Sequence, residues 1–166
     1  IPESFFNVKN EEILKTSLFG KQLKNPIGLA AGFDKSGEVY ESLNKIGFGF
    51  IEIGTVTPKP QLGNPKPRLF RLEEDRALIN RLGFNNHGSE IIRQRIKTNH
   101  SRRSYLGINI GPNYDTKNQE NDFENCFSKF FDLANYITIN ISSPNTKNLR
   151  NFHDENKLRS LIKKIN

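Results

Sequence analysis

Asp34 with Lys35, Thr55, Asn109, and Ser143 with Asn145 are the residues of this chain best suited to polar chemistry. Each lies at or just past the end of a short apolar or small-residue run. Ligands in parallel α/β folds bind at the carboxyl ends of strands, so ammonium, hydroxyl and amide groups gathered there could hold a polar ligand. One such residue would mean little; a polar group in each of four successive units carries more weight. The richest stretch is Tyr136 to Thr146, YITINISSPNT. Ile137, Ile139 and Ile141 alternate with Thr138, Asn140 and Ser142, a strand with one apolar and one polar face. It runs into Ser143-Pro144-Asn145, a turn-forming triplet. An amide on the face followed by a hydroxyl and a second amide suits a polar ligand. Taken alone, the stretch reads equally well as an antiparallel strand with its polar face in water and an ordinary loop behind it.

Hydrophobic periodicity predicts the elements that must present these groups. Ser17 to Pro26, SLFGKQLKNP, reads as a hairpin around Gly20-Lys21. Ile27 to Gly32, IGLAAG, is a small-residue strand. Ser36 to Ile46 sets Val39, Leu43 and Ile46 at helical spacing, with Gly47 as the C-cap. Phe48 to Thr55 alternates Ile51 and Ile53 with Glu52 and Gly54 and is the second strand. Strand, helix, strand is the βαβ rhythm of a parallel sheet. Thr57 to Pro67 then breaks it, because Pro58, Pro60, Pro65 and Pro67 are half of the 8 prolines. Proline cannot donate to a ladder and biases its predecessor away from helix, so this is an extended excursion. Arg68 to Leu72 and Ala77 to Leu82 can form a hairpin around Glu73-Glu74-Asp75, and Gly83 to Asn86 closes the excursion. A helix follows from Ser89 to Lys97, its face made by Ile91, Ile92, Arg95 and Ile96. Leu106 to Gly111 is the third strand. Asp122 to Leu133 is helical with a stripe of Phe123, Cys126, Phe127 and Phe130. Tyr136 to Ser142 is the fourth strand. The last helix runs from about Asp154 to Lys164, with Leu158, Leu161, Ile162 and Ile165 on one side.

What repeats is architecture: about four strand-helix units. An eight-unit barrel needs ~200 residues or more. The pattern therefore fits an open α/β sheet or the first half of a barrel whose second half is absent.

Composition narrows the class. The chain has 166 residues, 34% hydrophobic and 26% charged, enough for one domain with a core. No run approaches the ~20 apolar residues of a membrane span. Ile1-Pro2-Glu3 has neither the basic nor the apolar region of a signal peptide. It also lacks an initiator Met, which suggests that the true beginning is missing. Cys126 is the only cysteine, which excludes an internal disulfide framework and a Cys-rich zinc site. Among Phe123, Phe127, Phe130 and Phe131 it reads as a core thiol. No metal is expected. The net charge of +7 favours anionic partners. The densest basic cluster, Lys97, Arg102 and Arg103 around His100, has no interleaved aromatic before Tyr105. It is a poor platform for single-stranded nucleic acid and reads as a solvated loop.

The strand faces opposite the isoleucines carry Gly28, Ala30 and Gly32; Phe50, Glu52 and Gly54; Gly107 and Asn109; Thr138, Asn140 and Ser142. All but Phe50 are small or polar, whereas strands of a parallel sheet usually read as apolar runs. A barrel lined this way leaves room near its upper end for a flat polar ligand. The competing reading is that glycine only relieves crowding in a tight barrel.

These blocks also resemble a known family. GLAAGFDK (Gly28 to Lys35), GFGFIEIGTVTPKPQLGNPKPRLFRL (Gly47 to Leu72), INRLGFNN (Ile79 to Asn86), GINIG (Gly107 to Gly111) and NISSPNT (Asn140 to Thr146) closely resemble class 2 dihydroorotate dehydrogenase, the quinone-dependent flavoenzyme of pyrimidine synthesis. They stand in the family's order and cover most of the chain. The resemblance implies an FMN-containing (β/α)8 TIM barrel of which residues 1–166 hold the first half, with an N-terminal hairpin and a Pro-rich insertion after the second strand. It implies oxidation of dihydroorotate to orotate, with FMN as hydride acceptor and a quinone as final electron acceptor.

Residue by residue, Ala31, Gly32, Phe33, Asp34 and Lys35 match the first flavin-binding segment, and Thr55 and Asn109 further FMN contacts. Asn140 matches a residue touching flavin and substrate. Lys35, Asn80, Arg81, Leu82, Gly83, Phe84 and Asn145 match the dihydroorotate site. Ser143 matches the catalytic base that removes the C5 proton while hydride leaves C6. Thr146 and Phe84 match residues lining the family's proton exit route, and Arg71 an arginine near the quinone passage. The residue types agree with that chemistry. Asparagine amides donate and accept, as the imide and amide edges of dihydroorotate require. Serine is a feeble base and needs a relay, which Thr146 is well spaced to begin. A class 1 enzyme would carry cysteine at position 143. Two departures bear on loop geometry: Pro112 replaces the lysine often seen after GINIG, and Lys147-Asn148 the usual Pro-Gly after SPNT.

The resemblance further implies peripheral association with a bacterial or mitochondrial inner membrane, through a module expected before Ile1. No nucleic acid partner is expected. Two other readings stand beside this one. A flavin barrel like the tRNA dihydrouridine synthases would suit the +7 charge, and a salt-dependent RNA shift would favour it. A non-catalytic half-barrel remnant would be favoured if the reading frame stopped at Asn166.

Overall fold

Isoleucine at every second position gives the strands one face that must be hidden from water. The computed structural model describes residues 12–99 and 104–165. The chain opens on a 3-10 turn, Glu12–Leu14, and an antiparallel hairpin of β1 (Thr16–Leu18) and β2 (Lys21–Leu23). Then come β3 (Gly28–Leu29), α1 (Tyr40–Lys45), β4 (Phe50–Val56) and a second hairpin, β5 (Leu69–Leu72) with β6 (Ala77–Asn80). α2 (Ser89–Asn99), β7 (Leu106–Ile110), α3 (Gln119–Phe130), β8 (Tyr136–Ile139), a 3-10 turn at Leu149–His153 and α4 (Glu155–Ile165) complete it. β3, β4, β7 and β8 pair in parallel in that order.

Register aligns the apolar positions. Ile53 stands opposite Ile108, and Ile108 opposite Ile137. Ile51, Ile53, Leu106, Ile108 and Ile110 are buried with Ile92 and Ile96 of α2, Phe123, Cys126 and Phe130 of α3, and Leu161 of α4. Each such side chain contributes about 1.5–3 kcal/mol through burial. Cys126 is a core thiol as expected, and burial pushes its pKa up. On the other face, glycine does relieve crowding at two positions. A Cβ on Gly28 would lie 2.1 Å from the Phe50 ring, and one on Gly107 would lie 2.2 Å from the Tyr136 ring. The β1–β2 hairpin packs at the amino end of these strands. Its Phe19 ring lies 5.7 Å from that of Tyr136, and Tyr105 Oη donates to Leu18 O at 2.9 Å.

The helix and strand limits differ from the sequence reading in ways that hydrogen bonds explain. α1 starts at Tyr40 rather than Ser36, because the Asp34 carboxylate accepts the N–H groups of Glu38 (2.9 Å) and Val39 (2.8 Å) and holds the preceding chain as turns. Val39 and Ile46 are consequently exposed, and Tyr40 takes the buried position. β3 stops at Leu29 rather than Gly32. β8 stops at Ile139, because its neighbour β7 ends at Ile110 and the last bond between them is Asn140 N–H to Ile110 O. α2 extends to Asn99 with Ile91 exposed, and α4 leaves Ile162 exposed. α3 starts at Gln119, capped by the Asn118 side chain on Asn121 N–H. Lys97 is exposed near the end of α2; His100, Arg102 and Arg103 lie outside the described residues. Among the described residues, no helix is long and apolar enough to cross a membrane.

Candidate functional site

The carboxyl ends of β3, β4, β7 and β8 converge. Gly32 N–H donates to Gly54 O and Gly54 N–H to Asp34 O, both at 2.9 Å, tying the chain after β3 to β4. Gly54 has φ +113°, and a Cβ there would sit 2.4 Å from Asn109 O. Only glycine allows that approach. Immediately after it, Thr55 Oγ1 donates to Asn109 Oδ1 at 2.6 Å. Asn140 Nδ2 donates to both Thr55 Oγ1 and Asn109 Oδ1 at 3.1 Å. Asn109 Nδ2 donates to Glu52 Oε1 at 2.9 Å. Thr55 and Asn109 are buried, and a network of this kind is stiff while its members stay paired.

The loop after β8 hangs from this cluster. Asn140 Oδ1 accepts from Ser142 N–H and Ser142 Oγ, both at 3.2 Å. Ser143 is half-buried, its Oγ accepting from Asn145 N–H at 3.3 Å, and Thr146 behind it is buried. Arg150 Nε and His153 Nε2 each lie 3.1 Å from a carbonyl of the strand end, Ser142 O and Ile141 O respectively. Phe84 has φ +51° and reaches the same place. A Cβ on Gly111 would lie 2.7 Å from Thr55 Cγ2 and 3.0 Å from the Phe84 ring.

Lys35 borders a cleft of about 800 Å³ that is also lined by Phe33, Leu62, Arg68, Asn85 and His87. Its Nζ would lie 4.0 Å from a Cβ on Gly32. Burial, and then the Arg68 charge, hold the Lys35 ammonium below the usual lysine range. Arg68 is itself anchored on Leu62 O (2.6 Å) and Asn64 O (3.1 Å).

Other expected site residues stand apart from the cluster. Arg71 is exposed on β5 opposite Leu78. Asn80 and Arg81 are exposed, and Arg81 donates to Pro67 O from Nε and Nη2. Leu82 and Gly83 face the excursion through their carbonyls, which accept from Asn64 N–H and Gln61 Nε2 at 3.0 Å. Ala31 is half-buried, and Phe33 is exposed. Sequence reasoning missed the residues that root the excursion. Asn86 donates to Thr57 Oγ1 and Phe84 O, and accepts from Gly88 N–H, all at 2.8 Å. Asn113 Nδ2 donates to Lys59 O and Gln61 Oε1 at 2.9 Å. The signals for them were the end of the INRLGFNN block for Asn86 and a loop asparagine after a proline for Asn113.

A model of the family described as dihydroorotate dehydrogenase matches residues 13–166. The chain belongs to the dihydroorotate dehydrogenase family. It is 51% identical over 154 residues to dihydroorotate dehydrogenase (quinone) of Stenotrophomonas maltophilia, covering 92% of this chain and 44% of the relative. The enzyme of that name from Xanthomonas campestris is 54% identical over 151 residues, 90% of this chain and 43% of its own. A crystal structure of the Eimeria tenella enzyme with ferulenol matches with a TM-score of 0.90 at 44% identity, covering 96% of this chain and 45% of that one. The chain is thus a homologue of the quinone-type dihydroorotate dehydrogenases that spans less than half their length. Its α/β fold with a parallel sheet matches their barrel over that part. The family assignment falls on the dihydroorotate enzymes.

Proposed function

We propose that this chain carries the first half of a (β/α)8 barrel and, with it, much of the flavin and dihydroorotate site of a quinone-dependent dihydroorotate dehydrogenase. The observation that carries the reading is the Thr55–Asn109–Asn140 cluster at the ends of adjacent parallel strands, with the Ser143 loop bonded to it.

The residues present fit FMN. Gly32, Gly54 and Gly111 leave backbone bare beside Thr55 and Lys35, where Cβ atoms at Gly54 and Gly111 would collide with their neighbours. A hydroxyl, two carboxamides and an ammonium match a flat ring with carbonyl and imide edges. Ala31 to Lys35, Thr55, Asn109 and Asn140 would hold it, and FMN when bound supplies a hydride acceptor for C6 of dihydroorotate. The chain's own part is binding and proton handling. Asn140 and Asn145 present amides to the polar edges of the substrate, and Asn80 to Phe84, leading from the exposed hairpin to the Phe84 ring beside Gly111, are assigned its remaining contacts by the family motif. Lys35, already short of water, pairs with ligand charge and stabilises electron density that accumulates during the reaction. Ser143 Oγ takes the C5 proton and passes it toward Thr146, with Phe84 along the exit. Arg71, exposed on the hairpin, is assigned to the quinone passage by its match to the family's arginine there. The quinone reading carries peripheral membrane association with it.

The test is a complete enzyme in which residues 13–166 replace the matched stretch of the Xanthomonas campestris relative. It is expected to hold FMN and reduce a quinone with dihydroorotate. An enzyme that holds FMN yet never turns over dihydroorotate overturns the assignment in favour of a non-catalytic half-barrel. The 166-residue chain by itself is expected to bind FMN weakly or not at all and to be inactive; stoichiometric flavin absorbance in the purified chain overturns that.

A further inference from the structure

Glu52 is an ionisable side chain on the polar face of β4, three residues before Thr55, and the proposed chemistry leaves it without a role. It accepts three hydrogen bonds from two other strands: Asn109 Nδ2 at 2.9 Å, Tyr136 Oη at 3.0 Å and Thr138 Oγ1 at 2.9 Å. A carboxylate only accepts, so each of these groups must donate to it. That fixes which way the Asn109 amide faces. With Nδ2 committed to Glu52, Oδ1 must face Thr55 and Asn140, and it accepts from both. Asn140, donating from Nδ2, is left with Oδ1 as its acceptor, and Ser142 donates to it. Donor direction thus runs one way through Ser142, Asn140 and Asn109 to Glu52. Burial, and then the Glu52 charge, hold Tyr136 as a neutral donor.

The geometry points to Glu52 as a positioning residue: it sets the amide sense of Asn109, and through Asn109 the orientation of Thr55 and Asn140 toward the flavin. This rests on the reading of those three residues as flavin contacts. Reversal of the Asn109 amide would turn a donor toward the Thr55 hydroxyl and the Asn140 amide and set two NH2 groups against each other.

The experiment uses the complete exchange enzyme described above and reads the FMN dissociation constant by flavin fluorescence, beside the unfolding midpoint. Glu52→Leu is expected to weaken FMN binding about 10-fold or more, the size of a lost hydrogen bond to a charged group. Glu52→Gln, which keeps one oxygen able to accept from Asn109, is expected to recover most of this and stay within about 3-fold of the parent. In an Asn109→Ala background, neither substitution should change FMN affinity further, because the effect passes through Asn109. Should Glu52→Leu fail to fold, the small Glu52→Gln effect and its disappearance in the Asn109→Ala background decide the matter. The proposal is overturned if Glu52→Leu lowers the unfolding midpoint while FMN affinity stays at the parent value. It is overturned equally if the loss in affinity persists undiminished without Asn109. A parent enzyme that binds FMN but lacks turnover defeats the functional reading alone, and one that binds no FMN defeats both.

Discussion

The polar face of the sheet and the excursion between β4 and α2 are held by opposite means. On the sheet, register does the positioning. Parallel pairing sets Glu52 beside Gly107 and Asn109 beside Thr138, and side chains then bond across the sheet, Asn109 to Glu52 on the neighbouring strand and Thr138 to Glu52 past the intervening β7. In the excursion, side chains bond mostly to backbone. Asn86, Asn113, Gln61 and Asn64 each grip a carbonyl or an N–H of another loop segment, and Arg68 grips two carbonyls of its own segment. The outer hairpin has no such grip on both faces, and Leu69, Leu78 and Ile79 are about half exposed or more. A sheet can keep reacting groups fixed to within a fraction of an ångström, whereas a looped segment rooted at its base can carry contacts that must move.

Substitutions can break or sharpen this contrast. The largest effect is expected from Ser143→Ala in the complete exchange enzyme, a loss of about 10²–10⁴ in turnover with FMN binding unchanged; a fall of less than tenfold would remove Ser143 from the role of base. Next is Gly54→Ala, which drives a Cβ into Asn109 O at a φ that disfavours side chains. It should cost about 3 kcal/mol or more in denaturant unfolding and loosen FMN. Asn86→Ala strips a buried amide of its bonds and should cost about 1–3 kcal/mol, with faster proteolysis of the excursion and a sheet otherwise intact. Ile79→Thr on the outer hairpin should stay within about 0.5 kcal/mol. Equal costs for Ile79→Thr and Asn86→Ala would show that the contrast is false.

Lys35 gives a test with a sign. Its pKa is lowered in the folded chain, so the unfolded chain binds more protons between the folded value and the ordinary one. Charged Lys35 therefore opposes folding at neutral pH, and that penalty fades as pH rises through the lowered value. Lys35→Met should raise the unfolding midpoint at pH 7, with a gain that shrinks in alkaline solution. A gain that is constant with pH would trace the effect to packing instead.

Much of this was legible in the residues. Alternating isoleucines marked β4, β7 and β8, and clustered prolines marked the excursion, because these patterns are local. Val39 and Ile46 misled about α1, since their helical spacing is real but Asp34 captures the backbone first. Ile91 misled in the same way: its spacing puts it near the apolar stripe, and only packing shows that Ile92 and Ile96 fill the core. In the site, Thr55, Asn109 and Asn140 were named from strand ends and family motifs, but their mutual bonding depends on register across strands distant in the chain. The holding roles of Asn86 and Asn113 went unread because a loop asparagine looks the same whether it faces water or holds two segments together.

The Asp34 cradle has a consequence for ligand capture. The turn bearing Lys35 is already wound around a buried carboxylate, so a molecule arriving at the ammonium meets a loop with little freedom left to lose. Stripping water from the half-shielded cation, rather than freezing the main chain, should then set how fast that first contact forms.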